Sequence, residues 1–148
     1  MKKIIPYSRK VFYYETDKMS IMHHSNYIRL LEESRVWFME QGGMPFEEIE
    51  SKGVLMPVLT AGCKYISPLE FDEPFEVYPK IVKFTGVRLE LEYKIISLKS
   101  GKLCAEGYSS HCFTDEQLKP VRVKNSHPEI YQLFKEYVDY EVTRSSND

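Results

Sequence analysis

The stretch that most constrains this chain is residues 25–41. Tyr27, Leu30, Leu31, Ser34, Trp37 and Phe38 recur there near helical period, while Arg29, Glu32, Glu33 and Glu40 lie mostly elsewhere. Ile28, Val36 and Met39 add apolar surface beyond a single stripe, so this helix has to be enclosed rather than laid on a surface. Gly42-Gly43 ends it, glycine being the residue that supplies a left-handed cap. What can do the enclosing follows from the rest of the chain, which reads as strands: 7–15 before the helix, then 54–65, 75–84, 87–98 and 102–114 after it.

The fourth of these runs is the clearest. Val87, Leu89, Leu91, Tyr93 and Ile95 alternate with Arg88, Glu90, Glu92 and Lys94, which predicts one wet face and one covered face. Thr85-Gly86 and Lys99-Ser100-Gly101 have hairpin length, so the last three strands should form an antiparallel meander. A short helical turn is expected over 45–51. Ser126-His127-Pro128-Glu129 reads as a capping box that starts a C-terminal helix at about 127–140, with Ile130, Leu133, Phe134, Tyr137 and Val138 on one face. The polar tail 143–148 should fray. A strand, a buried helix and then four strands make an α+β architecture in which one antiparallel five-stranded sheet wraps the helix.

At 148 residues, 43% hydrophobic and 28% charged, the chain is expected to be a single domain over 1–148, with its core at about 7–115. The formal net charge of −2 and a pI near 6.1 argue against broad binding to nucleic acid or anionic membranes. Neither a signal-like apolar run nor a stretch of about 18 apolar residues occurs, so no stable membrane insertion and a cytoplasmic location are expected. Cys63, Cys104 and Cys112 form no CxxC or metal-ligand spacing, which points to free thiols in a reducing compartment, with no metal and no cofactor.

Chemistry concentrates just before the helix. Asp17 lies in a short polar loop, and His23, His24 and Asn26 follow where the helix begins. The first N–H groups of a helix lack intrahelical partners and carry the positive end of its dipole, so an oxygen gaining negative charge is stabilised there. A carboxylate on the other side of the same space completes a layout for carbonyl chemistry.

Asp17, His23, His24, Asn26-Tyr27, Glu32 and Arg35, followed by Lys64-Tyr65-Ile66-Ser67-Pro68 and Asp72, resemble the hotdog-fold acyl-CoA thioesterases. The likeness is to the 4-hydroxybenzoyl-CoA thioesterase group, especially its Tol-Pal-associated branch, and covers about residues 7–115. It implies that Asp17 is the catalytic carboxylate and that the backbone N–H of His24 binds the thioester oxygen. It also implies that two subunits join their sheets edge to edge, giving a homodimer or a tetramer of dimers with the sites at the interface. Ser20 departs from the pattern, which has glycine there; the conformation glycine takes freely costs serine something.

Each candidate also has a plainer reading. Asp17 is a common turn residue; Asn26 suits a helix cap. The adjacent rings of His23 and His24 should point apart, and no His-x-x-x-His pair is present to hold metal. Glu32 and Arg35 suit a surface ion pair, with Glu32 kept as a residue facing the acyl pocket. Lys83 and Arg88 bracket Thr85-Gly86 and are candidates for the phosphates of coenzyme A, with Thr60 and Lys64 as weaker ones. Three functions are carried forward. Acyl-CoA or aryl-CoA hydrolysis leads; a non-catalytic acyl-CoA or acyl-carrier binding module, in which Ser20 distorts the loop, comes second; a hotdog dehydratase is third.

Overall fold

The apolar helix forms where its periodicity puts it. In the computed structural model, which describes residues 1–144, a 3-10 turn at His24–Asn26 leads into α1 (Tyr27–Gly42). Tyr27, Leu30, Leu31, Ser34, Phe38 and Met39 are buried. Gly43 follows with φ 95°, donating its N–H to the Glu40 carbonyl and capping the helix as the glycine pair implied.

Around α1 lies one sheet built from β1 (Tyr7–Lys10), β2 (Val58–Tyr65), β3 (Pro74–Phe84), β4 (Arg88–Ser97) and β5 (Leu103–Cys112). The strand order is β1-β3-β4-β5-β2 and every pairing is antiparallel. The expected meander is β3-β4-β5. In β4 the alternation holds, with Leu89, Leu91, Tyr93 and Ile95 buried under α1 and Arg88, Glu92 and Lys94 exposed. Helix and sheet approach closely at Gly107: a Cβ there would sit 2.9 Å from both Leu31 methyls, so the helix needs glycine at this crossing. Burial of Leu30 and Leu31, each fully enclosed, contributes about 1.5–3 kcal/mol apiece.

Two short helices, α2 (Phe46–Ser51) and α3 (Val123–Ser126), precede β2 and the final helix α4 (Pro128–Tyr137) respectively. Through Ile130, Phe134 and Tyr137, α4 closes the far end of the core: Phe134 packs against Phe84 and Phe113, and Tyr137 against Phe38. The capping box expected at Ser126 does not form. Ser126 ends α3, donating its hydroxyl to the Arg122 carbonyl, and His127 occupies the cap position of α4 without a side-chain cap bond. Of the tail, Arg144 pairs with Glu76 at 2.7 Å, while residues 145–148 lie outside the described residues.

Two strands are shorter than the sequence suggested. β1 stops at Lys10, because Glu15 turns the chain back: its backbone N–H donates to the Phe12 carbonyl and its carboxylate accepts from the Phe12 N–H. The aromatic run Phe12-Tyr13-Tyr14 therefore forms an exposed 3-10 turn rather than a strand. β2 begins only at Val58, after Pro57, which has no N–H to give a ladder.

A buried polar line ties α1 to the sheet. Arg35 donates to the Tyr93 hydroxyl at 3.1 Å, Tyr93 meets Ser109 at 2.6 Å, and Ser109 meets Nε2 of His111 at 2.8 Å. His111 is 1% exposed, and its burial, with the Arg35 charge adding to it, lowers its pKa to about 4. Between that value and the ordinary value of about 6.5 the unfolded chain binds the proton that the folded chain refuses, so folding stability falls as pH drops through this window. The loss should reach about 3 kcal/mol by pH 4. Urea unfolding of His111→Gln between pH 7 and pH 4 should show a flatter acid limb than the parent chain; an unchanged slope would mean that His111 does not set it.

Candidate active site

Between β1 and α1 the chain makes a narrow hairpin. His23 donates its N–H to the Glu15 carbonyl at 2.8 Å, Thr16 bridges Met22, and Asp17 donates its N–H to the Ile21 carbonyl at 2.9 Å. The hairpin docks on the segment before β3, with Met22 N–H on the Leu69 carbonyl at 2.7 Å and Phe71 N–H on the Ser20 carbonyl at 3.2 Å. Asp17 and the start of α1 thus stand on opposite arms of one turn. Asp17 is half-buried, and its Oδ1 accepts the Met19 N–H at 2.8 Å. Among the described residues Oδ2 accepts no hydrogen bond.

At the start of the 3-10 turn, His23 rather than Asn26 is the cap: its Nδ1 accepts the Ser25 N–H at 3.1 Å, which puts the ring proton on Nε2. Ser25 and Asn26 have their backbone N–H groups satisfied, Asn26 by the His23 carbonyl at 3.0 Å. The His24 N–H has no acceptor among the described residues, as the first N–H of a helix should not. The rings of His23 and His24 lie together, with centroids 4.1 Å apart and planes tilted by 31°, instead of pointing apart. His23 is still extended, with ψ 139°, while His24 has entered the helical turn, and this change of backbone brings both rings to one side.

Asn26 is 6% exposed and donates Nδ2 to the carbonyls of Glu15, at 2.9 Å, and His23, at 3.3 Å. It is a tie across the hairpin rather than a cap or a group facing open space. Glu15, which sequence reasoning passed over, holds the other side. Its carboxylate takes both Arg9 nitrogens, at 2.7 and 2.8 Å. Arg9 also donates to Glu33 at 2.9 Å, and the Tyr7 hydroxyl donates to the same Glu33 oxygen at 2.6 Å. Burial would raise the Glu15 carboxyl, but Arg9 and the Phe12 N–H outweigh it and hold it below the usual carboxylate range. Burial and Glu33 push the Tyr7 phenol up to about 12. No local spacing could have revealed this cluster, since Arg9, Glu15 and Glu33 belong to three separate elements.

Tyr65 is a second residue that sequence reasoning left out of the site. From the end of β2 its hydroxyl donates to the His24 carbonyl at 3.2 Å, and its ring meets Tyr27 edge-on at 4.9 Å. The remaining candidates are not brought to Asp17 within one chain. Glu32 is exposed on α1 and forms no ion pair with Arg35, which turns inward to Tyr93. Thr60 and Lys64 point to the outer face of the sheet, Thr60 bonding Ser110. Lys83 pairs with Glu90 at 3.7 Å, and Arg88 is exposed one strand over. Lys83 is nine residues along β3 from the Asp17 end, roughly 30 Å at the usual strand rise. A broad concavity of about 850 Å³ also lies on the outer face, where Lys64, Lys80 and Lys94 alternate with Glu92 and Glu106. All three cysteines are free, and burial raises the thiols of Cys63, to about 11, and of Cys104, the opposite of an activated nucleophile.

Residues 11–133 match the family model of the thioesterase-like superfamily. The chain belongs to that superfamily. A candidate esterase of Aquifex aeolicus is 31% identical over 130 residues, 88% of this chain and 97% of that protein. A candidate acyl-CoA thioesterase of Bacillus subtilis, YneP, is 31% identical over 127 residues, 85% and 91% of the two chains. The crystal structure of a DHNA-CoA thioesterase from Staphylococcus aureus superposes with a TM-score of 0.84 at 23% identity, over 89% of each chain. The sheet wrapped on α1 is therefore the hotdog fold, as the resemblance implied.

Ser20 shows how this chain makes the loop without the family's glycine. Its φ is 62°, so serine occupies the left-handed region, and its N–H still closes the turn on the Asp17 carbonyl at 3.0 Å. A β-branched side chain tolerates that region poorly: thermal denaturation should find Ser20→Val about 1–2 kcal/mol less stable than Ser20→Gly. Equal stabilities would show that the loop is not held in this conformation.

Proposed function

We propose that this chain hydrolyses acyl-CoA thioesters at the turn between Asp17 and the start of α1. The observation that carries the reading is the pairing of an unengaged backbone N–H, that of His24, with a carboxylate that keeps one oxygen free, that of Asp17, on opposite arms of one hairpin. The thioester carbonyl would accept from the His24 N–H, strengthened by the dipole of α1, as negative charge builds on its oxygen. Asp17 either activates a water or attacks the carbonyl carbon to give a mixed anhydride that water then opens. The Arg9–Glu15 clamp and Asn26 hold the two arms in register, and Tyr65 fixes the His24 carbonyl, so the N–H keeps its direction.

Left-handed Ser20 still closes the loop on the Asp17 carbonyl, which supports the hydrolase reading over the non-catalytic binding module that a distorted loop would favour. Asp17→Asn is nearly isosteric and preserves the Met19 contact through its amide oxygen. It should fold normally yet lose at least about 100-fold in thiol release from a panel of acyl-CoA and aryl-CoA esters. Near-normal turnover by the folded variant would remove Asp17 from the reaction.

The active unit on this reading is a homodimer at least. β1 and β2 are the edges of the sheet; β1 is short and carries Arg9 and Lys10, whereas β2 is eight residues long, exposed, and carries Val58, Leu59 and Ala61 with Lys64 its only charge. Ile28, Glu32 and Val36 form an exposed row on α1 at i+4 spacing. A second copy paired along β2 covers an edge that would otherwise recruit other chains. Light scattering should give a dimer or a tetramer; a fully active monomer near 17.5 kDa would refute this arrangement.

A further inference from the structure

We infer that Asn26 tunes the oxyanion donor: its side chain, acting through the carbonyl of the His23–His24 peptide, aims and strengthens the His24 N–H. The inference rests on the thioester-hydrolase reading above and adds to it a positioning residue that touches no substrate.

A peptide group is one planar, conjugated unit, in which the N–H of one residue shares electrons with the C=O of the residue before it. The His24 N–H therefore lies in one plane with the His23 carbonyl, and whatever bonds that carbonyl acts on the N–H. Two donors converge on it. The Asn26 backbone N–H reaches the His23 oxygen at 3.0 Å, and Asn26 Nδ2 reaches it at 3.3 Å. A carbonyl oxygen has two lone pairs, so both are taken. Among the described residues the peptide is thus filled at its acceptor end and open at its donor end.

Resonance gives this asymmetry its effect. Each bond that the oxygen accepts draws electron density from the nitrogen and makes the N–H a stronger donor; cooperative strengthening of this kind is on the order of 10–30% per bond. The dipole of α1 acts in the same direction. The backbone bond is the ordinary one of a 3-10 turn and would form with any residue at 26 except proline. The side-chain bond depends on asparagine.

The surroundings keep the peptide plane from turning. On one side the His23 N–H is held by the Glu15 carbonyl at 2.8 Å. On the other, the Ser25 N–H is held by His23 Nδ1 at 3.1 Å, and the His24 carbonyl accepts from the Tyr65 hydroxyl at 3.2 Å. Asn26 is buried, and Nδ2 also donates to the Glu15 carbonyl at 2.9 Å. Both of its neighbours are carbonyl oxygens, so the amide nitrogen and not the amide oxygen must face them. A tie across the hairpin needs the Glu15 bond alone. The bond to the His23 carbonyl joins residues three apart on one arm, where the backbone already closes the turn; what it changes is the peptide that carries the donor.

Asn26→Leu keeps the size and branching of the side chain and removes its protons. It should lower kcat by about tenfold for acyl-CoA and aryl-CoA esters alike, with KM little changed, a smaller effect than the loss of about 10²–10³ that follows removal of an oxyanion donor itself. The deciding readout is spectroscopic. A thioester labelled with 13C at its carbonyl and bound to the Asp17→Asn chain should show an infrared stretch below its value in water, and adding Asn26→Leu should move that band back up. Ile130→Val, in the core under α4 and away from the turn, weakens the fold without touching the peptide and should leave both kcat and the band in place. If Asn26→Leu does not fold, Asn26→Ser, small and polar, is measured instead with the same expectations. An unmoved band or a wild-type kcat in the folded variant overturns the inference and leaves the hydrolase reading standing. Wild-type hydrolysis with the band of the Asp17→Asn complex at its value in water overturns both this inference and His24 as the donor. No hydrolysis of any CoA ester overturns the hydrolase reading itself.

Discussion

The enclosure of α1 is the constraint from which the rest follows. Tyr27, Leu30, Leu31, Ser34, Phe38 and Met39 give α1 a buried face broader than a flat sheet covers, while Ile28 and Val36, which the sequence also read as buried, stay exposed beside Glu32. Here β3, β4 and β5 pass beneath it, β1 and β2 extend the sheet on either side, and α4 closes the end with Phe134 and Tyr137. The closeness of fit is set at Gly107, where Leu31 occupies the space a side chain would fill. With α1 held this deeply, its N-terminus is fixed against the chain that leads into it, and chemistry can be built there on a rigid base.

That base is polar where the core stops. Glu15 works in two directions: its carboxylate is gripped by Arg9, and its carbonyl accepts from His23 and from Asn26. Side chain and backbone of one residue thereby lock both arms of the hairpin that bears Asp17 and His24. The donors of the first helical turn are then almost all committed, to His23 Nδ1 and to the His23 carbonyl, and among the described residues the His24 N–H has no acceptor. An oxyanion site needs such an N–H held in place before the reaction begins, so that no reorganisation accompanies the build-up of charge.

The two edges of the sheet differ in a way that bears on assembly. β1 is short and its Arg9 is drawn into the Glu15 and Glu33 cluster, whereas β2 exposes Val58 and Leu59 along an unpaired backbone. The exposed aromatic turn at Tyr13 and Tyr14 leads directly into the Asp17 hairpin. Exposed apolar surface thus adjoins a polar turn.

Periodicity by itself determined the buried helix, the alternation in β4, the glycine cap at Gly43 and the α+β class, because these depend on spacings within a few residues. Spacing placed a carboxylate, Asp17, just before a helix start, whereas the choice of Asp17 and the His24 N–H as a reacting pair came from the family resemblance. What only the tertiary structure decided involves partners distant in sequence. Phe12, Tyr13 and Tyr14 favour a strand, yet the Glu15 carboxylate, itself fixed by Arg9, captures the Phe12 N–H and ends β1. Lys83 and Arg88 look like a phosphate pair beside a glycine turn, but the length of β3 sets them at the far end of the sheet from Asp17. Arg35 reads as the partner of Glu32 on a helix surface; burial turned it inward to Tyr93 instead. Sequence fixes which groups a residue can bond, but only the closing of the sheet on α1 determines which of those groups are within reach.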